Sequence, residues 1–150
     1  IIKRLLQTVL PFEIRTNICR YLMIDFLGES EKDLSKSFYL SKQNIREMIS
    51  EGMHFGSHGK SHFWFESLNT DLQESEISDS KLFLDNIYKD ESYLLTMCYP
   101  YGSYNKITIE LLKKYNFKIG LTTIPQIYNP DNNTFLEIPR LDTNDYPKSL

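Results

Sequence analysis

Apolar positions along the chain fall into short groups that alternate between the helical and the extended period. Ile2, Leu5, Leu6, Val9 and Leu10 recur at the i, i+3, i+4 spacing of an amphipathic helix over Ile1–Leu10. Pro11 ends that helix near Leu10. Ile18–Phe26 (ICRYLMIDF) is dense in apolar and aromatic residues and reads as a buried strand. The polar, charged stretch Gly28–Ser37 reads as a loop. Ser41 is placed to cap the next helix, with Ile45, Met48 and Ile49 facing inward and Gly52 just past its end. A strand over Met53–Ser57 follows. A long helix starts at Asn69 or Thr70 and runs to about Tyr88, with Leu72, Phe83, Leu84, Ile87 and the small Ser80 on its inner face. Tyr93–Tyr99 reads as a strand broken by a turn at Pro100-Tyr101-Gly102. Ile107–Tyr115 is helical, with Thr108, Leu111, Leu112 and Tyr115 on one face and Asn116 at its end. Phe117–Thr123 is the next strand. Ile127–Thr134 is a polar loop turning at Asn129-Pro130-Asp131, and Leu136–Leu141 is a short edge strand with Pro139 inside it.

Helices and strands in this order predict an α/β fold with a largely parallel sheet. The functional site of such a sheet gathers at the carboxyl ends of its strands. His58 follows one predicted strand and Tyr101 follows another.

Composition narrows the picture without redirecting it. A chain of 150 residues, 41% hydrophobic and 25% charged, is read as one globular domain. A net charge of −3 gives no electrostatic reason for a nucleic-acid or anionic-membrane partner. No apolar run approaches the ~18–20 residues that span a bilayer. No signal peptide is visible, and a start at Ile1 rather than Met predicts a processed, trimmed or partial chain. Cys19 and Cys98 either pair or stand as two buried free thiols in strands, and the second reading is preferred. Seven acids against two lysines between Asp71 and Glu91 read as a solvated helix face.

Chemistry concentrates in Gly52–Leu68. This stretch holds all three histidines, His54, His58 and His62, each four residues after the last, and the only tryptophan, Trp64. Gly52, Gly56 and Gly59 each cost about 1 kcal/mol in a helix interior. A strand ending at Ser57 and breaking into a loop therefore fits better than one helix. His58 and His62 could then converge as ligands for zinc or a similar divalent ion. The alternative is a polar loop with one half-buried, hydrogen-bonded histidine.

Gly52, Phe55, Gly56, Ser57, His58, Ser61 and His62 resemble the histidine motif of polysaccharide deacetylases, the NodB-homology family (carbohydrate esterase family four). That motif reads roughly G-x-x-I-G-S-H-[ST]-x-[ST]-H. His54 falls on a non-ligand position, and Phe63 stands where the family usually has proline. Tyr99-Pro100-Tyr101-Gly102-Ser103-Tyr104-Asn105 resembles a later motif of the same family, and Glu76, Ser80, Lys81 and Leu84 match the helix between the two. The resemblance runs from about Leu40 to Arg140.

It implies a distorted, incomplete (β/α) barrel, here without its first strand. It implies metal-dependent hydrolysis of acetyl groups from an N-acetylated or O-acetylated glycan, with zinc the expected ion. Carried over, His58 and His62 become metal ligands and the backbone N–H of Tyr101 the oxyanion donor. Arg140 is the candidate to orient a catalytic carboxylate, with a plain surface arginine as the alternative. Trp64, Tyr99, Pro100 and Tyr101 are the candidate glycan contacts, although core packing is the default for aromatic residues. Two departures matter. No Asp-Asp pair exists in the chain, so the family's general base and third ligand are missing. No fourth histidine exists for the late acid motif. The second reading is accordingly a catalytically inactive carbohydrate-binding or structural domain. Family members are often extracytoplasmic, while location is left open here.

Overall fold

Two short parallel strands, β1 (Thr96–Cys98) and β2 (Ile119–Leu121), pair with Met97 opposite Gly120. Ser57 adds a parallel bridge to Met97 on one side, and Ile138 adds one to Leu121 on the other. The order across the sheet is therefore Ser57, β1, β2, Ile138, all running one way. This computed structural model describes residues 2–28, 30–88, 93–132 and 134–146. Expectations that touch Ile1, Glu29, Lys89, Asp90, Glu91 and Asn133 lie outside those residues. The sheet is small, open and parallel, so the fold is α/β as the order of elements predicts, and it is consistent with the incomplete barrel that the resemblance implies.

The chain divides into two compact units, Ile1–Asn44 and Ile45–Leu150. The described part of the first is helical and holds no buried residue. α1 (Ile2–Arg4) widens into a π turn over Leu5–Val9, and the chain becomes extended at Leu10, before Pro11. α2 (Phe12–Leu22) runs on as a π turn over Met23–Leu27. α2 and that turn correct the expected strand over Ile18–Phe26. Ile14, Ile18, Tyr21 and Leu22 sit at i, i+4, i+7 and i+8, a helical stripe that density of apolar residues had masked. α3 (Glu31–Phe38) corrects the expected loop over Gly28–Ser37. The Ser30 hydroxyl accepts the Asp33 N–H at 3.2 Å, and Glu31 and Asp33 suit the first turn.

α4 (Lys42–Ser50) starts as expected, with Ser41 Oγ accepting the Asn44 N–H at 3.1 Å. It ends in a Schellman motif. The N–H groups of Gly52 and Met53 donate to the carbonyls of Ile49 and Met48, and Gly52 takes a φ of 89° that only glycine adopts without strain.

In the second unit the core gathers Phe65, Ile77, Leu84, Leu95, Met97, Leu111, Leu112 and Phe117 under the sheet. α5 (Thr70–Tyr88) has its expected bounds but a different inner face. Gln73, Glu76, Ile77, Ser80, Leu84 and Ile87 are buried, whereas Leu72 and Phe83 are exposed. The buried stripe follows i, i+3, i+4, i+7 and includes polar residues because α6, the loop after Ser57 and Ser57 itself offer them partners. Gln73 accepts the Thr108 hydroxyl at 2.7 Å, tying α5 to α6 (Lys106–Lys114). Asn105 and Thr108 close a capping box at the start of α6. Asn116, at φ 65°, ends it in a second Schellman motif. Both cysteines are free and half-buried, Cys98 in β1 and Cys19 on α2 rather than in a strand. Among the described residues no helix is long and apolar enough to cross a membrane.

The corrected face of α5 has a measurable consequence. Ile77→Ala should cost about 2–5 kcal/mol of unfolding free energy. Leu72→Ala should cost no more than about 0.5 kcal/mol. Urea denaturation of both variants, read against the parent chain, checks the contrast.

Candidate functional site

Ser57, β1, β2 and Ile138 end on one edge, and the candidate residues follow directly from those ends. Ser57 donates its N–H to Thr96 O and accepts the Cys98 N–H, both at 2.8 Å. That pairing brings His58 alongside Cys98. His58 Nδ1 lies 2.7 Å from the Cys98 carbonyl oxygen. A carbonyl only accepts, so Nδ1 carries the proton and Nε2 keeps its lone pair. His62 comes round to His58 with ring centroids 4.7 Å apart at 67°. The two histidines thus meet.

The loop between them is turned by two left-handed residues, Gly59 at φ 73° and His62 at φ 58°. A Cβ at position 59 would meet Glu76 Oε2 at 3.3 Å and the Phe65 ring at 3.4 Å, so glycine answers both the angle and the space. Tyr101, at the end of β1, is also left-handed, with φ 58° and ψ 11°. Such a conformation in a bulky residue carries strain that the surrounding structure must hold. Its neighbours Gly102 and Ser103 donate to Tyr99 O and Pro100 O, while the Tyr101 N–H has no acceptor among the described residues.

An aromatic ladder continues from the histidines. The Tyr101 ring meets His62 edge-on at 4.6 Å and stacks on Trp64 at 4.4 Å and 6°. One face of the indole is therefore spent on Tyr101. The Trp64 Nε1–H is buried without an acceptor among the described residues. Tyr99 has no ring face to offer a ligand. It is 1% exposed, stacks on Tyr104 and donates its hydroxyl to Leu136 O at 2.6 Å. Burial pushes its hydroxyl pKa up, which keeps it a donor. Pro100 is buried as well. Arg140 is exposed and sits apart on the same edge. Its Nε donates to Thr122 O at 2.8 Å, and a guanidinium nitrogen lies 3.4 Å from Cys98 Sγ. A small cleft of about 190 Å³ opens there beside Thr123 and Asp142. A larger one of about 500 Å³ opens beside His58, walled by Phe55, Ser57, Asp79, Ser80 and Leu84.

The expected strand over Met53–Ser57 is reduced to the single bridge at Ser57, and His54 lies in the irregular segment before it, with Nε2 3.1 Å from Thr96 Oγ1 and Nδ1 3.4 Å from the Tyr88 hydroxyl. It is a hydrogen-bonded loop histidine and joins neither ring of the pair. Sequence reasoning matched Glu76 to the family's helix pattern but gave it no role in the site. Expected on a solvated face, it is 6% exposed and accepts the N–H groups of Lys60 at 2.8 Å and Ser61 at 2.7 Å. Its signal was Ser80 four residues on, which reaches Ser57 Oγ at 2.7 Å.

Parallel strands whose carboxyl ends gather a histidine pair and a strained tyrosine turn make an α/β domain with its site at the strand ends. The model of the polysaccharide deacetylase family matches residues 12–120. The chain belongs to that family, whose members are hydrolases that deacetylate glycans. It is similar to YxkH of Bacillus subtilis strain 168, a protein named as a polysaccharide deacetylase, with 28% identity over 69% of this chain. It is similar in structure to the deacetylase PplD of Streptococcus pyogenes, solved in complex with acetate, at 29% identity and a TM-score of 0.65 over 73% of this chain. IcaB from Ammonifex degensii shares the fold at 20% identity and a TM-score of 0.55, over 67% of this chain and 46% of its own. The chain spans 37% of YxkH and 47% of the PplD chain.

The histidine pair has its own pH dependence. Burial first, and then repulsion from His58, hold the His62 pKa below its ordinary 6.5. The folded state therefore binds this proton less readily than the unfolded chain. The contribution of His62 to stability is full above pH 6.5 and is lost as pH falls through the folded value. An NMR-detected titration without added metal should find the His62 midpoint below 6.5, and His58→Ala should move it part of the way back.

Proposed function

We propose that residues 1–150 act as a catalytically incomplete deacetylase-type domain that binds an acetylated glycan without hydrolysing it. The observation that carries this reading is the make-up of the histidine cluster. Two imidazoles meet beside the Tyr101 turn, yet among the described residues no group of three or more His, Cys, Asp or Glu comes together to hold a metal ion. A catalytic zinc takes three protein ligands and an open position. The pair alone does not fit such an ion. The chain has no Asp-Asp pair, and Glu76 is committed to two backbone N–H groups. What remains is suited to binding. The Tyr101 N–H and His58 Nε2 can meet an acetyl group, and the outer rims of Trp64 and Tyr101 can meet a pyranose ring. Arg140 offers a guanidinium to a glycan oxygen at the far end of the edge. The family match runs across both compact units, which supports reading the chain as one deacetylase-type domain.

Trp64 is the only tryptophan, so its fluorescence reports on the site directly. N-acetylglucosamine oligomers should change that emission saturably, and the change should vanish in Tyr101→Ala. Acetate release, followed by a coupled assay, should stay at background, because losing a general base costs typically ~10²–10⁴-fold in rate. Robust acetate release by residues 1–150 would sink the proposal and direct attention to Asp142 and Asp145 beside Arg140.

A second reading, metal-dependent deacetylation with carboxylates supplied from outside residues 1–150, is favoured by one observation. His58 gives Nδ1–H to a backbone carbonyl and leaves Nε2 free, the arrangement common to metal-bound histidines. Calorimetry should then find weak zinc binding that His58→Ala or His62→Ala removes. A longer chain carrying an Asp-Asp segment should release acetate in a chelator-sensitive way. Tight zinc binding by the double variant would exclude the pair as ligands.

A further inference from the structure

We infer that Glu76 is the positioning residue of this site: its carboxylate sets the distance and angle between the His58 and His62 rings by holding the loop that joins them. Only Gly59, Lys60 and Ser61 separate the two histidines, and Glu76 Oε2 accepts the N–H groups of both Lys60 and Ser61. The two left-handed residues, Gly59 and His62, bracket those N–H groups. The loop therefore turns around this one oxygen. Glu76 is itself fixed, because α5 is anchored by Gln73 and Ile77, both fully buried.

Two further grips come from the same helix. Ser80, one turn on, meets Ser57 Oγ at 2.7 Å, and Ser57 Oγ in turn accepts the Gly59 N–H at 3.2 Å. Asp79 pairs with Lys60 Nζ at 2.7 Å, but both side chains are largely exposed, so that contact contributes little. The buried contact is the one that sets the geometry. An unpaired buried carboxylate is costly, and so are two N–H groups without an acceptor. The arrangement is all-or-none: either both N–H groups point at Glu76 or the loop reopens. Glu76 makes no hydrogen bond to either imidazole. It acts through the backbone, whether the site hydrolyses a glycan or only binds one.

Both N–H groups use a single oxygen, and this gives the test. Glu76→Gln keeps an oxygen at that place, Glu76→Asp withdraws it by one methylene, and Glu76→Leu removes it. The readouts are the nuclear Overhauser contact between the His58 and His62 rings and the hydrogen exchange of the Lys60 and Ser61 amides. Methyl signals of Ile77 and Leu112 report the core. Glu76→Gln should keep the ring contact and the slow amides. Glu76→Asp and Glu76→Leu should lose the contact and speed both amides about tenfold or more, with the core methyls unmoved. Should Glu76→Leu fail to fold, the Gln and Asp variants decide the same point. Ring contact and slow amides kept in Glu76→Asp or in a folded Glu76→Leu, or lost in Glu76→Gln, would overturn the inference.

Discussion

One rung of parallel backbone pairing, Ser57 against Met97, places the candidate site. It fixes where the chain runs beside β1, and so where His58 begins. It also sets the Cys98 carbonyl beside the His58 ring, which places the proton on Nδ1. Tyr101 follows Cys98 by three residues and closes on His62 from the other side. A parallel sheet puts all its carboxyl ends on one edge, so a short sheet is enough to bring distant parts of the chain together. Residues about forty apart in sequence meet because the Ser57 bridge and β1 end level.

Burial on α5 is organised around that edge. A helix stripe that packs on the end of a sheet meets loop backbone as well as strand side chains. Loop backbone presents N–H groups that need acceptors. Glu76 and Ser80 supply an oxygen each, while Ile77 and Leu84, on the same face, meet the apolar core. Polar residues on the inner face are therefore part of the packing. The Gln73–Thr108 bond does the same work between α5 and α6.

Chemically the edge is uneven. It has an imidazole nitrogen, an N–H at a strained turn with no acceptor among the described residues, a guanidinium and stacked aromatic rims, groups of the kind that hydrogen-bond or stack against a polar ligand. Among the described residues no carboxylate joins the two histidines in a group that could hold a metal ion. Recognition needs complementary donors and acceptors. Hydrolysis needs in addition a group that takes a proton from water at the right place. Among the described residues the groups on this edge answer the first requirement, and the proposed binding role rests on that.

Much of this was legible in the sequence, for reasons that are local. The caps at Ser41, Gly52 and Asn116, the turn at Pro100-Tyr101-Gly102 and the bounds of α5 depend on residues within a few positions of one another. Resemblance to the family's motifs, more than spacing, named His58, His62 and Tyr101, and the structure brings their three rings together. The failures were of two kinds. Ile18–Phe26 is rich in β-favouring residues, and the helical stripe beginning at Ile14 was overlooked beside them. For α5, the apolar count chose Leu72 and Phe83, when the neighbouring element decided which side turned inward. Glu76 shows the limit most clearly. Its charge alone argues for water, and only the fold could put two unpaired N–H groups where its oxygen lies. The local chain determined which elements form and which residues carry chemistry. The tertiary structure decided which faces are buried and which polar groups meet, because those depend on partners that proximity in sequence does not supply.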